Sequence, residues 1–122
     1  MHVRELDEAE RRRVDRYVLL DEDRLFSLIP PYLSEHEHTS FSPEGQREAG
    51  RAWFEAMRGS LEQRLCDEWG MCRMLGRPEF DDATTLVVVI GDAIATKVTG
   101  VPPILVGAII ARIGVRRFCD CP

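Results

Sequence analysis

TTLVVVIGDAIATKVTGVPPILVGAIIARI, residues 84–113, decides how this chain folds. The stretch is almost wholly apolar, its first arm holds two charges, Asp92 and Lys97, and Gly100-Val101-Pro102-Pro103 interrupts it midway. Two buried helices joined by a tight turn satisfy that pattern, with Pro102 and Pro103 opening the second arm and Gly114 closing it. A strand over Leu86-Val87-Val88-Val89-Ile90 suits β-branched residues. It would be the chain's only strand, however, and a lone strand has no ladder partner.

Upstream segments read as amphipathic cover for this hairpin. Ser42-Pro43-Glu44 carries an N-cap, a first-turn proline and an acid, the signature of a helix start. From there Ala49, Trp53, Met57, Leu61, Leu65 and Trp69 recur every four residues, broadened by Phe54, Cys72 and Leu75. This spacing predicts one long helix from Pro43 to about Leu75, with Gly76 as its left-handed cap and Pro78 preventing continuation. Nearer the start, residues 6–20 place acids before arginines, as the helix dipole favours, with Val14, Tyr17, Val18 and Leu20 on one face. A short helix ending at Ile29 follows, stopped by Pro30-Pro31, and residues 34–42 form a polar loop. Asp81 or Asp82 caps the first arm of the hairpin, which is expected to run to about Val98.

At 122 residues the chain is one domain's length and long enough to bury a core. Its charge is uneven. Residues 1–82 carry 12 Lys+Arg against 19 Asp+Glu, a net of −7, and residues 83–122 carry 4 against 2, a net of +2. An acidic body repels phosphate backbones, which argues against nucleic acid as a partner. The opening MHVRELDEAERRR has no apolar run of the kind a secretory signal needs, so Cys66, Cys72, Cys119 and Cys121 read as cytosolic thiols rather than a disulfide framework.

Each chemical feature has a bland and a sharp reading. On a continuous helix Cys66 and Cys72 lie about 120° apart around the axis and ~9 Å apart along it. They could then neither chelate one ion together nor bond to each other without breaking the helix. Cys119-x-Cys121 is freer, and either tail thiol could meet one helix thiol if the tail docks there. Ordinary thiols are the expectation, with a redox-active pair or a metal site as the alternative. His36-Glu37-His38 lacks a third ligand and reads as a solvated loop. No Gly-rich phosphate loop, G-x-S-x-G or H-E-x-x-H occurs, and no histidine accompanies a nucleophile motif, so catalysis is not expected. On a regular helix Thr85, Asp92, Thr96 and Thr99 share one stripe, either a solvent edge or, in the sharper reading, a half-buried Asp92 that fixes packing register or an interface. Gly107 and Ala111, four apart, resemble a close-packing face. Neither arm offers the ~20 apolar residues a membrane span requires.

The expected fold is an all-α single-domain bundle over residues 1–122: four to five helices, one long helix, a buried C-terminal hairpin and a short cysteine-containing tail over 113–122. The expected function is a non-enzymatic, cytoplasmic interaction or regulatory module with no cofactor, contacting a protein partner or a second copy of itself. Two alternatives stand beside it: a thiol-based redox or metal-responsive protein using the C-terminal cysteine pair, and a membrane-active helical hairpin. The interaction reading rests on whether the upstream helices can cover both sides of the hairpin.

Overall fold

The computed structural model describes residues 6–33 and 42–122, and the His36-Glu37-His38 cluster lies outside them. Helix α1 spans Glu8–Tyr17 and α2 Glu22–Ser27. Each begins where a carboxylate accepts an otherwise unpaired backbone N–H: Asp7 from Glu10 at 2.8 Å, and Asp21 from Arg24 at 2.9 Å. A 3-10 turn at Pro30–Tyr32 ends this region. Helix α3, Pro43–Glu62, starts as its sequence dictates, with the Ser42 hydroxyl accepting from Gly45 N–H at 3.1 Å and Pro43 in the first turn.

The long helix departs from its expected course beyond Glu62. Over Gln63–Glu68 the backbone widens to a π-helix, in which Trp69 N–H donates five residues back to Arg64 O at 3.1 Å. Gly70 then turns left-handed (φ 63°), and a separate short helix α4 covers Met71–Met74. The left-handed glycine is therefore Gly70 and not Gly76. Only a residue without a Cβ takes that conformation at little cost, so the helix stops there although the apolar stripe continues past it.

After a 3-10 turn at Pro78–Asp81, the hairpin follows: α5 over Ala83–Ile94 and α6 over Pro103–Ile113. Asp82 caps α5, accepting from the Thr85 N–H at 3.0 Å and the Thr85 hydroxyl at 2.8 Å. The first arm ends four residues earlier than expected, passing into a 3-10 turn at Ala95–Lys97 before Gly100 (φ 84°) reverses the chain. Helix α7, Val115–Phe118, begins directly at Gly114 and leads into the tail. Among the described residues the fold is all-α with seven α-helices, more than expected because the long helix is divided and the tail coils.

The arms α5 and α6 pack most extensively against each other, and they do so through glycine. A Cβ on Gly107 would lie 2.7 Å from Val87 O and 3.0 Å from Gly91 N, and one on Gly91 would lie 3.3 Å from Ile104 Cα. The close-packing partner of Gly107 is thus Gly91 across the seam, whereas Ala111 is half-buried at the edge. Around this pair Val87–Ile90, Ala93, Ile94 and Ile104–Ile110 are buried. They share one core with Val14 and Tyr17 of α1, Leu25 and Phe26 of α2, and Phe54 and Leu61 of α3. A second glycine contact brings α3 onto α2, where a Cβ on Gly50 would overlap the Phe26 carbonyl. Among the described residues no helix is long and apolar enough to cross a membrane.

Candidate functional site

The break at Trp69-Gly70 sets where the cysteines go. Cys66 lies in the π-helix and Cys72 in α4, so they no longer share one helical axis. The tail docks beside both. Phe118 is buried with its ring centroid 6.0 Å from that of Phe54, and the Arg58 guanidinium lies over the Phe118 ring, 4.9 Å from its centroid. Phe26 meets Phe54 edge-on at 5.6 Å, so the tail aromatic extends a row begun in α2. Beyond it Asp120 takes the left-handed conformation (φ 52°), which a short polar side chain tolerates, between the two tail cysteines.

Two disulfides result. Cys66 is bonded to Cys119 with Cα atoms 5.5 Å apart, and Cys72 to Cys121 at 5.6 Å. No described cysteine is free, which corrects the expectation of four ordinary thiols. The geometric objection to a Cys66–Cys72 bond stands, since each helix-side cysteine pairs with a tail cysteine instead. Distance between them along a helix was no obstacle to two separate bridges. Among the described residues no group of three or more His, Cys, Asp or Glu side chains is placed to hold a metal ion.

The Thr85–Asp92–Thr96–Thr99 stripe does not persist as one face, because α5 ends at Ile94. Thr85 and Asp92 are half-buried, while Thr96 and Thr99 are exposed beyond the helix. Asp92 lines a cleft with Glu10 and Arg13 of α1 and with Pro102, Pro103 and Ile104 of the second arm. It therefore sits where α1 meets both arms of the hairpin.

One face of the hairpin remains open. A cleft of about 160 Å³ lies between the end of α1 and the two arms, lined by Tyr17, Val18, Ala83, Val87, Ala108, Ala111 and Arg112. Its space exists because three of those positions are alanine. Next in sequence to Val18 of its wall, Leu19 is 81 % exposed, the most exposed large apolar side chain among the described residues. The turn that carries Leu19 is held by Arg112, whose guanidinium donates to Leu20 O at 3.0 Å and Val18 O at 3.3 Å. A second arginine does similar work elsewhere: Arg64 donates to Ala93 O at 2.8 Å, satisfying a carbonyl near the end of α5, and pairs with Glu68 at 2.9 Å. Sequence reasoning gave neither arginine a role, since charge on an amphipathic helix reads as solvated surface. Tyr17, at the cleft wall, has its phenol raised above its ordinary pKa of 10.0, first by burial and then by Tyr32, with Arg13 and Arg16 opposing.

Comparison with protein-family models, with curated proteins and with solved structures gave no significant match.

Proposed function

We propose that this chain is a small non-enzymatic helical module that works by protein–protein contact and self-associates through the open face of its hairpin. The observation that carries the reading is an exposed apolar knob, Leu19, one residue along the chain from Val18 in the wall of the alanine-lined cleft. A single exposed leucine is ordinary on a protein surface. This one sits on a turn already fixed by Arg112, so burying it costs less ordering entropy than burying a mobile side chain. A cleft of this size resembles cavities of ~150 Å³ that accept a benzene-sized apolar group. A knob and a hole this close along the chain suit a twofold contact between identical chains, each Leu19 filling the other's cleft.

Sedimentation equilibrium of the oxidised protein tests this. The average mass is expected to rise from 13.9 kDa toward twice that value as concentration increases from about 1 to about 500 µM, a range that brackets weak contacts. Leu19→Asp is expected to hold the chain at the monomer mass throughout. A wild-type chain that stays monomeric over the range, or an L19D chain that associates like the wild type, overturns the proposal.

The convergence of all four cysteines favours a second reading, a thiol-responsive protein using the C-terminal pair. The same bridges support an oxidising compartment in preference to the cytoplasm, where thiol buffers keep cysteines reduced.

A further inference from the structure

The tail is held by two kinds of contact. One is noncovalent, the buried Phe118 against Phe54 and Arg58, and the other is the pair of bridges leaving Cys119 and Cys121. All four cysteines are half-buried and none is sealed in the core. The bridges are also interleaved along the chain. Once Cys66–Cys119 exists, Cys72 and Cys121 are connected by six residues back to Cys66, the bridge itself, and two residues onward. Either bridge therefore closes only a small ring while the other is intact.

We propose that the two bridges form a redox latch on residues 115–122 that opens only when a dithiol reductant has cut both. The inference rests on the thiol-responsive reading and specifies its moving part. In each step a reductant thiolate attacks one sulfur of a bridge, the S–S bond breaks, and a mixed disulfide forms. The reductant's second thiol displaces it. One bridge becomes two cysteine thiols, gaining two electrons and two protons, and the dithiol leaves as a cyclic disulfide. Full opening consumes two dithiols and four electrons.

Interleaving makes the second cut decisive. After the first, the broken bridge re-forms across a ring of about eight residues, because its partner still holds the tail in place. After the second, the tail undocks from a body that stays folded, and re-closure must first dock it again. The first bridge cut therefore re-forms more readily than the last. The half-reduced state is correspondingly sparse, and at its peak the two-thiol form should stay well below the one-half expected for two independent bridges of equal stability.

The full chain, oxidised, is equilibrated in buffers of stepped reduced-to-oxidised dithiothreitol ratio, then alkylated and weighed intact to count molecules with no, two and four thiols. Hydrogen exchange at Phe118, Cys119 and Cys121 follows the tail in the same samples, since these amides donate to Gly114 O, Val115 O and Arg116 O in the closed form. The expected result is a two-thiol peak well below one-half, with tail protection kept in that form and lost in the four-thiol form while α5 and α6 stay protected. A two-thiol peak near one-half, tail protection lost after one cut, or protection kept after both overturns the latch alone. Bridges that survive every ratio overturn the thiol-responsive reading, and the latch with it. In a variant with all four cysteines changed to Ser, tail amides are expected to exchange freely without any reductant; persistent protection there also overturns the latch.

Discussion

Removing the bridges one pair at a time should expose their interleaving as a failure of additivity. The relevant quantity is the chain entropy each bridge removes from the unfolded state, set by the length of loop it closes. The sequence separations are 53 residues for Cys66–Cys119 and 49 for Cys72–Cys121. Taken alone, either loop is worth about 4 kcal/mol at 25 °C. With the other bridge present the remaining ring spans about eight residues, and the same relation gives about 2.5 kcal/mol. The paired variants Cys66→Ser/Cys119→Ser and Cys72→Ser/Cys121→Ser should therefore each lose about 2.5 kcal/mol, and the variant with all four serines about 6.5 kcal/mol. The excess over twice the single loss, about 1.5 kcal/mol, is the coupling between bridges. Urea unfolding followed by circular dichroism measures it. Values must be compared after extrapolation to water, because each cross-link removed lets the unfolded chain expand and raises the denaturant slope. Equal losses of about 4 kcal/mol for the two pairs, or a four-serine loss equal to twice the paired loss, would refute the reasoning.

Two further predictions concern the body of the fold. Gly107→Ala puts a Cβ 2.7 Å from Val87 O, a backbone atom fixed within α5, so it should destabilise by about 2–3 kcal/mol, and Gly50→Ala against the Phe26 carbonyl by at least as much. Gly59→Ala, exposed in α3 with nothing within 4 Å, should instead stabilise by about 0.5–1 kcal/mol, so thermal melts should move in opposite directions for these sites. The raised phenol of Tyr17 predicts a loss of stability in alkali. Its contribution is intact below the unfolded-chain pKa of 10.0 and is lost as pH rises through the higher folded value, because only the unfolded state ionises freely in that window. Urea melts between about pH 9 and pH 11.5 should show a decline that Tyr17→Phe reduces, and an unchanged decline in that variant would contradict the assignment.

What was legible in the sequence was whatever local chemistry decides alone. Asp82 and Ser42 cap the helices their positions foretold, Gly100 turns the hairpin, and the apolar arms are buried. The long helix was misread for a physical reason. Its stripe was projected at the α-helical angle, but the π-helix at Gln63–Glu68 inserts an additional residue into the turn, and Gly70 was absorbed because Cys72 and Leu75 fitted the projected face. The cysteine reading fails for another reason: it takes the thiols as cytosolic from the lack of an apolar run near the start, which does not decide whether sulfurs that the tail brings together are bonded. Arg64 and Arg112 were illegible for a different reason: their partners are carbonyls distant in sequence, Ala93 O for the first and Val18 O and Leu20 O for the second.

The hairpin that organises the chain also explains why its open face is a cleft and not a flat patch. Gly91 and Gly107 bring the arms into close contact, with α1 packed on both arms and α2 on the second. Where α1 ends, at Tyr17, the cover ends too, and the arms present Ala83, Ala108 and Ala111 there instead of larger residues. With alanine at all three positions the opening keeps room for an apolar side chain from outside, which is what the proposed self-association needs and what Leu19, exposed on its fixed turn, can supply.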